Sequence, residues 1–105
     1  MNSALIASID LGTNTARLLI GYCEDGRVER RHVSRSITRL GGGFTRERGI
    51  SAEAAARTIA AMKNFAATMQ AFRVSALKAV ATSAVRDAVN SGAFCSDVKE
   101  STGID

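Results

Sequence analysis

Apolar residues run almost without a break from Ala4 to Ile9 and stop at Asp10. A run this short, without three- and four-residue spacing, predicts a strand buried on both faces with Asp10 at its tip. The polar turn Gly12-Thr13-Asn14-Thr15 follows, and then a second apolar run from Ala16 to Cys23. That run reaches Glu24-Asp25-Gly26, where an Asp-Gly pair between two strand candidates predicts a tight hairpin, because Gly accepts positive φ. In the third strand Val33 and Ile37 share a face. Val28 lies five residues before Val33, which breaks strict alternation and predicts a bulge between them. The three strands read as an antiparallel meander with the charged third strand on the edge.

Leu40-Gly41-Gly42-Gly43-Phe44 is a glycine loop leading into a helix. Ser51 is its N-cap and Glu53 complements the positive end of the helix dipole. Ile59, Met62, Phe65, Met69 and Phe72 recur at three- and four-residue steps and form its core stripe, while Arg57, Asn64 and Thr68 fall on another face. Val74 to Ala81 predicts a fourth strand, parallel to a neighbour because a helix intervenes. Thr82-Ser83 opens a short helix with Val85 and Val89 on one face and Asn90-Ser91-Gly92 as its stop. A last helix from Ala93 to about Ser101 carries Phe94 and Val98 and ends at Thr102-Gly103. The class is α/β. A final helix normally returns to another strand, so the chain reads as part of a larger domain.

Composition narrows the picture. The 105 residues allow one domain, and 46% hydrophobic against 23% charged residues argues against intrinsic disorder. No apolar run reaches the roughly 18 residues of a membrane span, and the N-terminus has neither a basic n-region nor a small-residue cleavage site. A cytoplasmic protein is expected. Cys23 and Cys95 fit neither a zinc spacing nor a disulfide scaffold and read as reduced, packed thiols. Seven arginines (Arg27, Arg30, Arg31, Arg35, Arg39, Arg46, Arg48) stand against Glu29 and Glu47, so this stretch holds +5 while the rest of the chain sums to −1. Arginine suits phosphate and carboxylate, which makes an anionic partner one reading; charge protection of an edge strand is the other. Aromatic residues are 5% of the chain and none interleaves with the arginines, which argues against nucleic acid.

Two constellations carry chemistry. In Asp10-Leu11-Gly12-Thr13-Asn14-Thr15-Ala16-Arg17 a strand-end carboxylate can hold hydrated Mg²⁺, and the glycine and the Thr13, Asn14 and Thr15 donors can close around an oxyanion. A polar β-turn with its own Asx or Ser/Thr bond is the plain alternative. In Ala81-Thr82-Ser83-Ala84-Val85-Arg86 a strand runs into a helix whose N-terminal N–H groups, two hydroxyls and one arginine can bind an anion, with an ordinary N-cap as the alternative. Parallel pairing of the first and fourth strands would bring both turns to one sheet edge, where ligands of open α/β sheets collect. His32, among arginines on an edge strand, reads as solvated rather than catalytic. Met62 and Met69 belong to the core stripe, and Glu53 and Glu100 to exposed helix ends.

These motifs carry a resemblance. Ala7 to Thr15 with Arg17-Leu18-Leu19-Ile20, then Arg39 to Gly43, then Ala79 to Ala88 with Asn90 and Phe94, resemble the start of the exopolyphosphatase and guanosine pentaphosphate phosphohydrolase family. The order and spacing of its D-L-G-[ST]-N-[ST] turn, R-L-G loop and T-S-A-x-R junction match across essentially the whole chain. The resemblance implies a ribonuclease-H-like lobe of the actin, sugar kinase and Hsp70 ATPase superfamily, with residues 1–105 as the N-terminal part of the first of two such domains. It implies Mg²⁺-supported hydrolysis of a terminal phosphoanhydride, in polyphosphate or at the 5′ end of pppGpp. Asp10 would orient metal and water; Gly12, Thr13, Asn14 and Thr15 would form the first phosphate loop; Thr82, Ser83 and Arg86 would approach the same phosphates; and Arg17 and Arg39 would be further anion contacts. Partners would be polyphosphate or guanosine penta- or tetraphosphate and the remainder of the same polypeptide, with a homodimer allowed. The family's general-base glutamate stands in an S-G-x-E-E-A segment and its second phosphate loop in D-x-G-G-G-S, and neither occurs in this sequence. A polyanion-binding module without catalysis and an ATP-binding relative of the superfamily are the alternative readings.

Overall fold

The structure is a computed structural model describing residues 4–81 and 88–104. Strands β1 (Ile6–Leu11), β2 (Thr15–Glu24) and β3 (Arg27–Ile37) precede helix α1 (Ala52–Phe72); β4 (Ala76–Ala81) and helix α2 (Ser91–Thr102) follow. The four-stranded sheet has the order β3-β2-β1-β4, with β1–β2 and β2–β3 antiparallel and β1–β4 parallel. This is the expected α/β lobe: a meander with β3 on the edge, plus a parallel strand reached through a helix.

Local sequence accounts for the turns. Asp25 and Gly26, with φ of 52° and 76°, close β2 onto β3 as a two-residue hairpin of the type whose twist matches its strands. The bulge falls where alternation broke: Ile20 pairs with His32 but Gly21 pairs with Arg30, leaving Arg31 as the extra residue between Val28 and Val33. Ser51 caps α1 by accepting from the Ala54 N–H at 3.1 Å, and Arg73 in the left-handed region ends it.

The core lies on one side of the sheet. Ala7, Ile9 and Leu11 of β1 and Ala16, Leu18 and Ile20 of β2 are buried against Met62, Phe65 and Met69 of α1 and Phe94 and Val98 of α2. Ile59 and Phe72 pack at its margin, and Ala54, Thr58 and Ala61 complete the buried stripe. Thr58 donates its hydroxyl to the Ala54 carbonyl at 2.8 Å, which lets a polar residue sit fully buried.

Several expectations change. β1 is not buried on both faces: Ile6, Ser8 and Asp10 are exposed, because both helices cover the opposite face, and Asp10 sits within the strand rather than at its tip. Cys23 and Cys95 are exposed, not packed. Cys23 lies near the hairpin end beyond the helical cover, and Cys95 is one residue, about 100° of helix, round from buried Phe94. His32 is half-buried on the helix side, its Nε2 bonded to Ser34 Oγ and its ring 5.2 Å from that of Phe72. The short helix expected from Thr82 lies outside the described residues, and Val89 is 67% exposed. Asn90-Ser91-Gly92, expected as a stop, begins α2, with Asn90 as its N-cap residue.

Asn90 has a second task. Its Oδ1 accepts from the Ile50 N–H and its Nδ2 donates to the Ile50 carbonyl, both at 3.0 Å, tying the start of α2 to the residue before the α1 cap. Asn90→Ala leaves both backbone groups of buried Ile50 without that partner and should lower unfolding free energy by about 1–3 kcal/mol, read as a drop in the urea midpoint at unchanged m-value.

Candidate functional site

The parallel register fixes where chemistry can gather. Leu11 at the end of β1 lies beside Ala81 at the end of β4, so the Gly12–Asn14 turn and the chain following Ala81 leave from one sheet edge. Thr82, Ser83 and Arg86 lie outside the described residues; the strand that delivers them ends at this edge. Carboxyl ends of parallel strands are the usual ligand-binding edge of open α/β sheets.

The turn is held from its carbonyl side. Thr38 and Arg39 donate their N–H groups to the Asn14 carbonyl at 3.0 and 3.1 Å, and Gly41 donates to the Thr13 carbonyl at 3.0 Å. Within the turn, Gly12 donates to the Thr15 carbonyl at 3.0 Å. With the carbonyls of Thr13 and Asn14 committed to the loop, their own N–H groups donate no turn or loop bond among the described residues and stay available to an oxyanion. Thr13, Asn14 and Thr15 are exposed. Gly41 passes close to the turn, and a Cβ there would stand 2.6 Å from Thr13 Cγ2, so that methyl would have to move. Gly12 serves the turn itself: a Cβ would stand 2.9 Å from the Thr15 carbonyl oxygen.

Arg39 is exposed and held at φ 50°, a left-handed conformation that costs a non-glycine residue roughly 1 kcal/mol or more. The surroundings impose it. Its N–H is bound to Asn14, and its carbonyl accepts from Gly42 N–H at 2.8 Å and from Arg57 Nη2 at 3.1 Å. Arg57 also donates from Nε to the Thr38 carbonyl at 2.9 Å. Helix α1 thus grips the loop that grips the turn.

Asp10 and Arg17 are direct cross-strand partners on the sheet face that the helices leave open, and Arg17 is flanked on its other side by Arg35. No ion pair joins Asp10 to Arg17 among the described residues. The buried side-chain atoms without a hydrogen-bond partner there are Arg17 Nε and Thr38 Oγ1. Both belong to this cluster: Arg17 lies two residues after Thr15, and Thr38 is bonded through its backbone to Asn14. Such orphans are uncommon in folded proteins and concentrate where function competes with stability.

The structure therefore brings Asp10, Gly12, Thr13, Asn14, Thr15, Arg17 and Arg39 to one edge. Sequence reasoning missed Arg57, Thr38 and Asn90, which support that edge. Arg57 stood among the polar residues of α1 and no spacing rule ties it to carbonyls 18 and 19 residues earlier. Asn90 carried a local turn signal that hid a contact 40 residues away.

Residues 24–105 match the model of the Ppx/GppA phosphatase family. The crystal structure of the Aquifex aeolicus member of the Ppx/GppA protein family is similar to this chain with a TM-score of 0.91 at 31% identity, over 98% of this chain and 34% of that one. An exopolyphosphatase from Cytophaga hutchinsonii gives a TM-score of 0.89 at 32% identity, over 96% of this chain and 32% of that one. The chain thus spans about a third of the length of these relatives. With a family match over most of its residues and a shared fold over nearly all of them, the chain belongs to the Ppx/GppA phosphatase family.

Proposed function

We propose that residues 1–105 are the N-terminal part of a first ribonuclease-H-like domain and form one phosphate-binding wall of a hydrolase. Its substrate would carry a terminal phosphoanhydride, as inorganic polyphosphate or pppGpp does. The observation that carries the reading is the turn at Gly12–Asn14, with its free N–H groups on the edge shared by the ends of β1 and β4. Membership of the family and likeness to an exopolyphosphatase support the substrate class.

The roles follow from charge and geometry. The Thr13 and Asn14 N–H groups and the hydroxyls of Thr13 and Thr15 hold the terminal phosphate from one side. Thr82, Ser83 and Arg86, which follow β4 in sequence and lie outside the described residues, would supply further anion contacts. Arg39 adds a guanidinium from the loop. Arg17 and Arg35 lie side by side on the open face, a like-charge pair that a bound anion would relieve.

Asp10 would repel a bare phosphate. Mg²⁺ needs only one or two carboxylates besides substrate phosphates and keeps several waters, a demand that exposed Asp10 meets. Among the described residues no three His, Cys, Asp or Glu side chains gather as a fuller metal site, which fits a cation shared with substrate rather than caged by protein. Such a cation would neutralise charge on the transferring phosphoryl group. Asp10 would hold such an ion through its water shell. No helix among the described residues is long and apolar enough to cross a membrane.

Three outcomes test this. Inorganic phosphate should bind the chain without Mg²⁺ and about three- to tenfold more weakly after Arg86→Ala, measured by calorimetry, as expected for one charge-assisted contact. The chain alone should release no phosphate from polyphosphate above an Asp10→Ala control, because phosphoryl transfer needs charge stabilisation and an oriented water from both sides of a cleft. Arg39→Gly should separate fold from function: relief of the left-handed φ should raise or hold thermal stability while phosphate affinity falls, and a parallel loss of both would remove Arg39 from the site.

A further inference from the structure

The sequence presents its arginines as one basic stretch, and the fold divides them. Arg27, Arg30 and Arg31 lie near the Asp25-Gly26 hairpin, at the end of the sheet opposite the Gly12–Asn14 turn. Arg30 pairs with Gly21, six residues along β2 from Thr15, which is roughly 20 Å at about 3.4 Å per residue. Arg46 and Arg48 are elsewhere, in the loop that continues from Gly41 to the start of α1.

That loop is built to hold them still. Thr45 and Gly49 pair as a miniature hairpin: the Gly49 N–H donates to the Thr45 carbonyl at 2.7 Å, and the Arg48 N–H donates to Thr45 Oγ1 at 3.0 Å. Its base is anchored on both sides. Ser51 Oγ donates to the Gly42 carbonyl at 3.0 Å, and Ile50 is doubly bonded to Asn90. The small hairpin therefore rises between the first turns of α1 and α2, on the edge that also bears the Gly12–Asn14 turn. Both helices direct the positive ends of their dipoles to that edge. Arg46, Glu47 and Arg48 are all exposed, and neither arginine is ion-paired among the described residues.

We propose that the Thr45–Gly49 hairpin is a second anion-contact element, in which Arg46 and Arg48 hold phosphates distal to the one in the Gly12–Thr15 turn. The ligand class is a linear polyphosphate, a chain with charge on every repeat and therefore able to engage two separated basic elements at once. The proposal rests on the reading of the turn as the terminal-phosphate cradle. A nucleotide polyphosphate is the competing ligand, because half-exposed Phe44 stands next to the hairpin and offers a base one aromatic face.

The experiment is a salt series of binding isotherms for the chain with tripolyphosphate, long-chain polyphosphate and pppGpp. R46Q/R48Q should weaken long-chain polyphosphate about tenfold and reduce its log–log salt slope by about 1.4, the counterion release of two contacts to a single-stranded polyanion. Tripolyphosphate affinity should stay unchanged. R27Q/R30Q/R31Q should leave the slope unaltered, and Phe44→Ala should leave long-chain polyphosphate untouched. An unaltered slope in R46Q/R48Q, or an equal fall in the β3 triple variant, overturns the proposal. So does a loss confined to pppGpp that Phe44→Ala reproduces, which would make the hairpin a nucleotide contact. Asn14→Asp, which sets a carboxylate beside the amide groups of the cradle, isolates the underlying reading. If that variant changes nothing while R46Q/R48Q still lowers the slope, the hairpin contact stands and the cradle reading falls.

Discussion

Three backbone hydrogen bonds, from the N–H groups of Thr38, Arg39 and Gly41 to the carbonyls of Asn14 and Thr13, are the constraint on which the site depends. A turn between antiparallel strands would otherwise be free to point its carbonyls outward, where they would repel an anion. Committing them to the loop leaves the Thr13 and Asn14 amides without a turn or loop acceptor among the described residues, the polarity that phosphate requires. The same bonds explain why a glycine stands at position 41, why Arg39 tolerates a left-handed backbone, and why Arg57 reaches back from α1 to two loop carbonyls.

The sheet supplies the second condition. Its helices cover one face, so alternation along β1 and β2 puts Ala7, Ile9, Leu11, Ala16 and Leu18 into the core and leaves Asp10 and Arg17 on the other. Charge is kept out of the apolar layer yet fixed to the two central strands of the sheet. That placement carries a local cost, since Arg17 stands beside Arg35 and its Nε has no partner. A stability penalty at the position where an anion would be welcome is the pattern expected of a binding edge rather than of a structural one.

Legibility followed sequence distance. The meander, the Asp-Gly hairpin, the bulge before Val33, the Ser51 cap and the parallel fourth strand were readable because each rests on local spacing or on a connection rule. The burial of β1 was misread: a six-residue apolar run looks the same whether one face or two are covered, and here Ile6 remains 44% exposed. Cys23 and Cys95 were misread because an apolar neighbour does not fix which way a thiol points. The turn residues were legible as an exposed polar turn between two strands. The contacts that orient them were not, since Thr38–Asn14, Arg57–Thr38 and Asn90–Ile50 join residues whose types have no pattern in common.

The most direct test is a proton–nitrogen NMR titration of the chain with inorganic phosphate in the absence of Mg²⁺. The account predicts saturable amide shifts at Thr13 and Asn14, with smaller ones at Gly12 and from Arg39 to Gly41, while Arg27, Arg30 and Arg31 at the far hairpin stay still. Shifts centred on those hairpin arginines, with the amides of Thr13 and Asn14 unmoved, would contradict it.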